Sequence, residues 1–479
     1  MKKIAVFLMV ALMICLSAVL VSCGKSEEVT DGLTYKMDLS ISENVLKGEQ
    51  VTTFTNVYAD VLSEAVFHLY PNAYREDAVH PAYELPMGTY GQIDVKSVSV
   101  GESAGDYAIS EDGEYLTVKL PEVERKGSVS VSFSYETTLP SGGVRLSKKG
   151  SDYLLSGFYP QLSVYEKDGF RKDPFCAVGD PIYSGTATYD VTLTCDTSLV
   201  VCSSAGAGEK TEESGKQTLH YTCPDVRDFC IAASPNYQVK EKMAGDVRVY
   251  YFYRNDERAQ ETLDLAASAV ETFSSAFGAY PYGTYTVARA FFDCDGMEYS
   301  GMSVISESCS DIEETVLHET AHQWWYGVVG SDPIYECYMD EGLTTFTSAY
   351  YYALKGDEAR FDAECERMNR AYASYEKLQK MRKTEAILAM DKPLYEYTAY
   401  QYTMVEYVKG ALMFRSLYDL YGKEKFLACL QKYVENNRFS FGGKDRFIEA
   451  AKGTMGDVSS LMESWIGDKI VATTFAQEE

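Results

Sequence analysis

Two of the chain's five histidines fall within five residues of each other, in Val316-Leu317-His318-Glu319-Thr320-Ala321-His322. Residues four apart on a helix share one face, one turn above the other, so both imidazoles can serve a single metal ion. Glu319 follows the first histidine and is rotated off the ligand direction. It can reach a water beside the metal without binding the ion, which is the placement of a general base. With 5 His and 71 Asp and Glu among 479 positions, such a pattern arises by chance about 0.008 times per chain. Its bland reading is a pair of core histidines beside an incidental glutamate. A catalytic zinc takes three protein ligands and a water. Glu341, in Tyr338-Met339-Asp340-Glu341-Gly342, lies nineteen residues beyond His322 and supplies the third if the chain folds back. A first-turn glutamate is also favoured by the helix dipole, so Glu341 has a structural reading too. His318, His322 and Glu341 around one zinc ion, with Glu319 beside it, would run metal-assisted hydrolysis.

Elements of two kinds must position these groups. From Leu33 to about Pro235 the apolar period is two, as in Tyr35 to Ile41, Ser128 to Thr137 and Ala187 to Thr194, which predicts half-buried strands in a mostly antiparallel β domain. Beyond Asn236 the period becomes helical. Helices are predicted over Asn255 to Phe277, Asp311 to Tyr326, Glu341 to Leu354, Asp357 to Met381, Met404 to Leu420 and Lys423 to Asn436. Short strands are expected at Thr286 to Phe292 and Ser303 to Ser306, with Glu298 on a glycine-bearing turn between them. The domains read as 33–235 and 236–479.

The opening residues, MKKIAVFLMVALMICLSAVLVSC, give a basic start, an apolar run and small residues before Cys23. They resemble a bacterial lipoprotein signal over 1–23, with Cys23 as the lipid-bearing residue and 24–32 as a polar tether. The alternative is a retained membrane helix. An exported, membrane-anchored body facing the cell surface or periplasm is expected. The formal charge of −27 argues against nucleic-acid binding through a basic face and leaves room for an acidic cleft that attracts cationic ligands. Export permits disulfides; Cys195 with Cys202 and Cys223 with Cys230 could pair, or could be buried thiols.

The zinc pattern, eighteen residues and then Glu, with His-Gln-Trp-Trp-Tyr-Gly from His322 and Asp-Glu-Gly around Glu341, resembles the zinc aminopeptidases related to aminopeptidase N, a gluzincin family. Gly296-Met297-Glu298-Tyr299 is similar to the family's exopeptidase motif. The resemblance implies that Glu298 holds the substrate's α-ammonium and that Gly296 and Met297 help align it. It also implies that Tyr407, in Glu406-Tyr407-Val408-Lys409-Gly410, stabilises the oxyanion. Phe158-Tyr159-Pro160 and Asp225-Val226-Arg227-Asp228-Phe229 resemble signposts of the family's amino-terminal β domain. The implied fold is α+β: a β-sandwich or saddle-like domain, then a thermolysin-like, mainly helical peptidase domain with a small sheet. The implied substrates are peptides with a free amino terminus.

Three departures accompany the resemblance. Ser348 stands where many relatives carry an acidic side chain that orients a ligand histidine, a loss that can cost about 10 to 100-fold in affinity or activity unless another group such as Asp340 substitutes. The segment from Glu298 to His318 is short, and the large carboxy-terminal helical domain of longer relatives is expected to be absent. A zinc endopeptidase, or a zinc-binding surface lipoprotein without turnover, therefore stands beside the aminopeptidase as an alternative.

Overall fold

The computed structural model describes residues 32–82, 89–382 and 387–467. The signal, the tether to residue 31 and Cys23 lie outside the described residues.

The first half is built from strands whose alternation sets their faces. In β1 (Thr34–Ser42) Tyr35, Met37, Leu39 and Ile41 are buried while Lys36, Asp38 and Ser40 face solvent. The same period runs through β2 (Val45–Thr55), β6 (Ser128–Thr138), β8 (Ala187–Asp196) and β9 (Lys216–Val226). With β4 (Gln92–Val100) these form the middle of an eight-stranded sheet in the order β9-β8-β1-β2-β6-β4. All these neighbours are antiparallel except β1 and β8, which run parallel. A second sheet, centred on β3 (Val61–His68) and β5 (Tyr115–Glu124), packs its inner face on the first. Phe67 of β3 meets Phe133 of β6 edge-on at 4.8 Å between ring centres, a preferred aromatic geometry.

A smaller sheet containing β7 (Asp152–Leu155) and β10 (Ile231–Ser234) puts Tyr153, Leu155, Ile231 and Ala233 into this core and presents its other face to the second half. Its Leu154, Cys202, Cys230 and Ala232 pack against Phe252, Ala288, Met297 and Tyr299 of the second half. Cys195 and Cys202 lie in different sheets, and all ten described cysteines are free thiols, so neither candidate disulfide forms.

The second half begins with two strands not anticipated from the sequence, β11 (Gln238–Ala244) and β12 (Val247–Tyr253). They join β13 (Thr284–Ala290), β14 (Gly296–Tyr299) and β15 (Met302–Ser306) in the order β11-β12-β13-β15-β14. Glu298 therefore sits within edge strand β14, paired with Ser303, and not on a turn; the turn is Ser300-Gly301, where Gly301 adopts φ 78°.

The longer helices are α1 (Ala259–Phe277), α2 (Ile312–Ala321), α3 (Glu341–Leu354), α4 (Glu358–Arg382), α5 (Gly410–Tyr421), α6 (Lys423–Asn437), α7 (Gly443–Lys452) and α8 (Ser459–Ile466). The last two were not anticipated. Asp311 caps α2 by accepting the Glu314 amide at 3.0 Å, and Glu313 and Glu314 in its first turn suit the helix dipole. The predicted continuation to Tyr326 fails after His322, where Trp325 and Tyr326 leave helical geometry. Long-range partners hold the residues that leave the helix: the Trp325 indole donates to Thr347 Oγ1, and the Tyr326 carbonyl accepts from Arg227. No helix among the described residues is long and apolar enough to cross a membrane.

Candidate active site

The break after α2 and the start of α3 bring the three candidate ligands together. His318 Nε2 and His322 Nε2 each lie 3.2 Å from Glu341 Oε2 and 3.0 Å from each other. His322 and Glu341 are buried, at 1% and 6% exposure. On the far side of the His322 ring, Nδ1 lies 2.8 Å from Asp340 Oδ1 and 3.2 Å from the Thr344 hydroxyl. The Asp340 contact is close but poorly aligned, so that oxygen lacks a proper donor and the attraction is mainly one of charge. These neighbours leave Nε2 as the nitrogen facing the other ligands. Ser348 turns its hydroxyl into its own helix, onto the Thr344 carbonyl at 2.8 Å, and the carboxylate braced against a ligand histidine is Asp340.

The charge balance fits a cation. Glu298, Glu319, Asp340 and Glu341 surround two imidazoles, and burial leaves Glu319 Oε2 without a hydrogen-bond partner. Burial alone would lower the His322 pKa, yet Glu298, Asp340 and Glu341 push it well above its ordinary value. Burial pushes Glu319 up to about 8, with His322 opposing. Two nitrogens and one carboxylate, buried and convergent, are the ligand set of a catalytic zinc site.

Glu298 joins this centre from the sheet. Its carboxylate, that of Glu319 and the His322 ring present atoms within 4.8 Å of one another. Gly296 makes this approach feasible, because a Cβ there would stand 2.2 Å from Glu319 Oε1. Met297 packs behind the strand against Arg145, whose guanidinium pairs with Asp180 at 3.0 Å. The described sequence carried no signal for Arg145 or Asp180, which come from the β domain.

Tyr407 donates its hydroxyl to Glu341 Oε1 at 2.5 Å, and its ring lies parallel to His318 at 5.7 Å. It reaches this position because the start of α5 packs glycine against glycine: a Cβ on Gly410 would meet Gly342 Cα at 2.9 Å. Lys409 anchors the same turn by donating to the carbonyls of Leu388 and Gly467. Burial, reinforced by Glu341, raises the Tyr407 pKa far above the ordinary phenol value, so the hydroxyl keeps its proton. A cleft of about 530 Å³ opens beside these groups, lined by Gly296, His318, Glu319, Ser348, Tyr352 and Tyr407.

Against this geometry, residues 261–465 match the family model described as the peptidase family M1 domain. The segment is a peptidase family M1 domain. Aminopeptidase 2, mitochondrial, of Saccharomyces cerevisiae is 25% identical over 414 residues, which is 81% of this chain and 43% of that protein. Aminopeptidase N of Escherichia coli is 24% identical over 195 residues, 37% of this chain and 22% of that one. The chain thus spans less than half the length of these curated relatives. Among solved structures, an M1 zinc metallopeptidase from Deinococcus radiodurans is similar with a TM-score of 0.66 at 17% identity, covering 91% of this chain and 94% of that one. A mutant of that enzyme bound to a Tyr-Ser-Ala substrate gives 0.67 with the same identity and coverage. The two-part arrangement of a β domain followed by a helical M1 domain is therefore shared along nearly the whole of both chains.

Proposed function

We propose that the chain is a zinc-dependent aminopeptidase that removes single residues from the amino ends of peptides. The observation that carries this reading is the approach of Glu298 to Glu319 and His322 within 4.8 Å, beside the His318, His322 and Glu341 ligand set. One zinc ion per chain, held by those three residues, supplies Lewis-acid activation of a water and of the scissile carbonyl.

The chain's own residues do the rest. Strand β14 lies at the edge of its sheet, so a peptide can add to it as a further strand, aligned by the backbone of Gly296 and Met297. The Glu298 carboxylate pairs with the α-ammonium, a charge-assisted bond in a buried setting. An ammonium held beside the catalytic groups would bring the first peptide bond, and not an inner one, within their reach. Glu319, whose Oε2 has no hydrogen-bond partner, takes a proton from the attacking water and passes it to the leaving amine. Tyr407 turns its hydroxyl from Glu341 to the developing oxyanion.

The test compares an aminoacyl anilide bearing a free amino group with its N-acetylated counterpart, with and without a chelator. Cleavage of the free substrate alone, lost with chelator and restored by zinc, is expected. Equal cleavage of both would favour an endopeptidase, and cleavage of neither by zinc-loaded protein would favour a binding protein.

The opening segment supports export and lipid anchoring at Cys23 on the outer face of a bacterial membrane. Expression of Cys23→Ser is expected to move the protein from the membrane fraction to the soluble one. An unchanged distribution would count against the anchor.

A further inference from the structure

The turn that follows Glu298 is held from two sides. From the turn after α2, Gln323, one residue beyond His322, donates through Nε2 to the Tyr299 carbonyl at 3.0 Å and accepts the Gly301 amide on Oε1 at 2.9 Å. From the β domain, Asp228 Oδ1 accepts the Ser300 amide at 3.0 Å, and the Ser300 hydroxyl accepts the Arg227 amide at 3.1 Å. The same two β-domain residues also grip the turn beyond His322. Asp228 Oδ2 accepts the Tyr326 hydroxyl at 2.5 Å, and Arg227 Nε donates to the Tyr326 carbonyl at 2.5 Å.

The remaining guanidinium nitrogens of Arg227 are committed to the carbonyls of Ser184 and Ser440, at 3.1 and 2.7 Å. Gly330 is needed for this fit, since a Cβ there would stand 2.4 Å from the guanidinium carbon. Arg227 and Asp228 are 2% and 5% exposed. Buried charges are costly unless their hydrogen-bonding capacity is met. Here it is met largely by backbone and hydroxyl groups of the catalytic half, at the two segments that carry Glu298 and His322.

We propose that Arg227, Asp228 and Gln323 form a clamp that fixes the separation between Glu298 and the His318, His322 and Glu341 centre, and so sets how strictly the enzyme measures one residue from the amino end. The clamp rests on the reading of Glu298 as the ammonium partner. Its members are positioning residues: they act through β14 and the turn after α2 and do not meet the substrate. Misplacement of a reacting group by about 1 Å can cost on the order of 100-fold in rate, so a loose ruler would blur discrimination before it unfolds the protein.

Two variants test the clamp. Asp228→Asn keeps the shape of the side chain and removes its charge, and Tyr326→Phe removes only the hydroxyl that Asp228 holds. Each is measured beside the wild type for zinc per chain, near-ultraviolet dichroism, kcat, KM and the ratio of rates on free and N-acetylated anilides. Folded, zinc-replete variants are expected to show KM for the free substrate raised on the order of ten-fold, kcat changed less, and a lower free-to-acetylated ratio. Calorimetric binding of a free dipeptide to the inactive Glu319→Gln protein is expected to weaken by a similar factor when Asp228→Asn or Tyr326→Phe is added. Should Asp228→Asn not fold, Tyr326→Phe carries the same comparison. A discriminating wild type whose folded variants keep its KM, ratio and dipeptide affinity overturns the clamp alone. A wild type indifferent to acetylation overturns both the clamp and the reading of Glu298.

Discussion

The sandwich core and the face of the β domain that meets the M1 domain are built on opposite principles. Inside the sandwich, Tyr35, Phe67, Leu116, Val131, Phe133 and Tyr189 pack apolar surface and rings, and the Tyr159 and Tyr189 hydroxyls satisfy each other at 2.7 Å. At the junction the same domain buries Arg145, Asp180, Arg227 and Asp228, whose partners include Met297, Ser300 and Tyr326 of the catalytic half. The apolar core holds the domain together, whereas the buried charges hold the domain to the site. Stability and catalytic geometry are thus separable, and mutations in the two regions should have different signatures.

The largest effect is expected at the site itself. Glu319→Gln should lower kcat by about 10²- to 10⁴-fold while zinc content and unfolding midpoint stay near wild type. A comparable loss accompanied by unfolding would erase the distinction. Phe133→Ala, which removes the ring packed on Phe67, should cost about 3 to 5 kcal/mol in denaturant unfolding and leave KM unchanged in the folded fraction. Tyr407→Phe should lower kcat by about 10²- to 10³-fold, the scale of a lost oxyanion donor, with little change in stability.

A smaller, pH-dependent effect belongs to Glu406, which burial pushes up to about 8 despite Lys409 nearby. The folded state keeps this proton to about pH 8, while the unfolded chain releases it near the usual carboxyl value of about 4.5. Between those values the folded state binds more protons, so this group makes stability fall as pH rises. Glu406→Gln should flatten that slope in denaturant titrations run across the interval. An unchanged slope would place the titration elsewhere.

The parts of the molecule legible in the sequence are those set by local spacing. Tyr35 to Ile41 alternates because one face of β1 is buried and the other wet, and that pattern survives without any knowledge of partners. The His318 and His322 pair is readable for the same reason, and α3 begins at Glu341 as its pattern predicts. What escaped depends on distant groups. Strand β14 is four residues long and almost wholly buried, so Glu298 showed no alternation and read as a turn. Helix α2 stops where Arg227 and Thr347, remote in sequence, hold the Tyr326 carbonyl and the Trp325 indole. Asp340 came forward in the sequence only as a substitute for the acid missing at Ser348, and its place against His322 needed the fold. The buried charges of the junction left no periodic trace at all.

The measurement that bears most directly on the site's central property is the time course of products from an unmodified hexapeptide, followed by mass spectrometry with zinc-loaded protein. A site in which Glu298 holds the amino terminus should yield a ladder of fragments, each shorter by one residue from the amino end, and Glu298→Ala should suppress it. Internal fragments appearing first, or a ladder indifferent to Glu298→Ala, would contradict it.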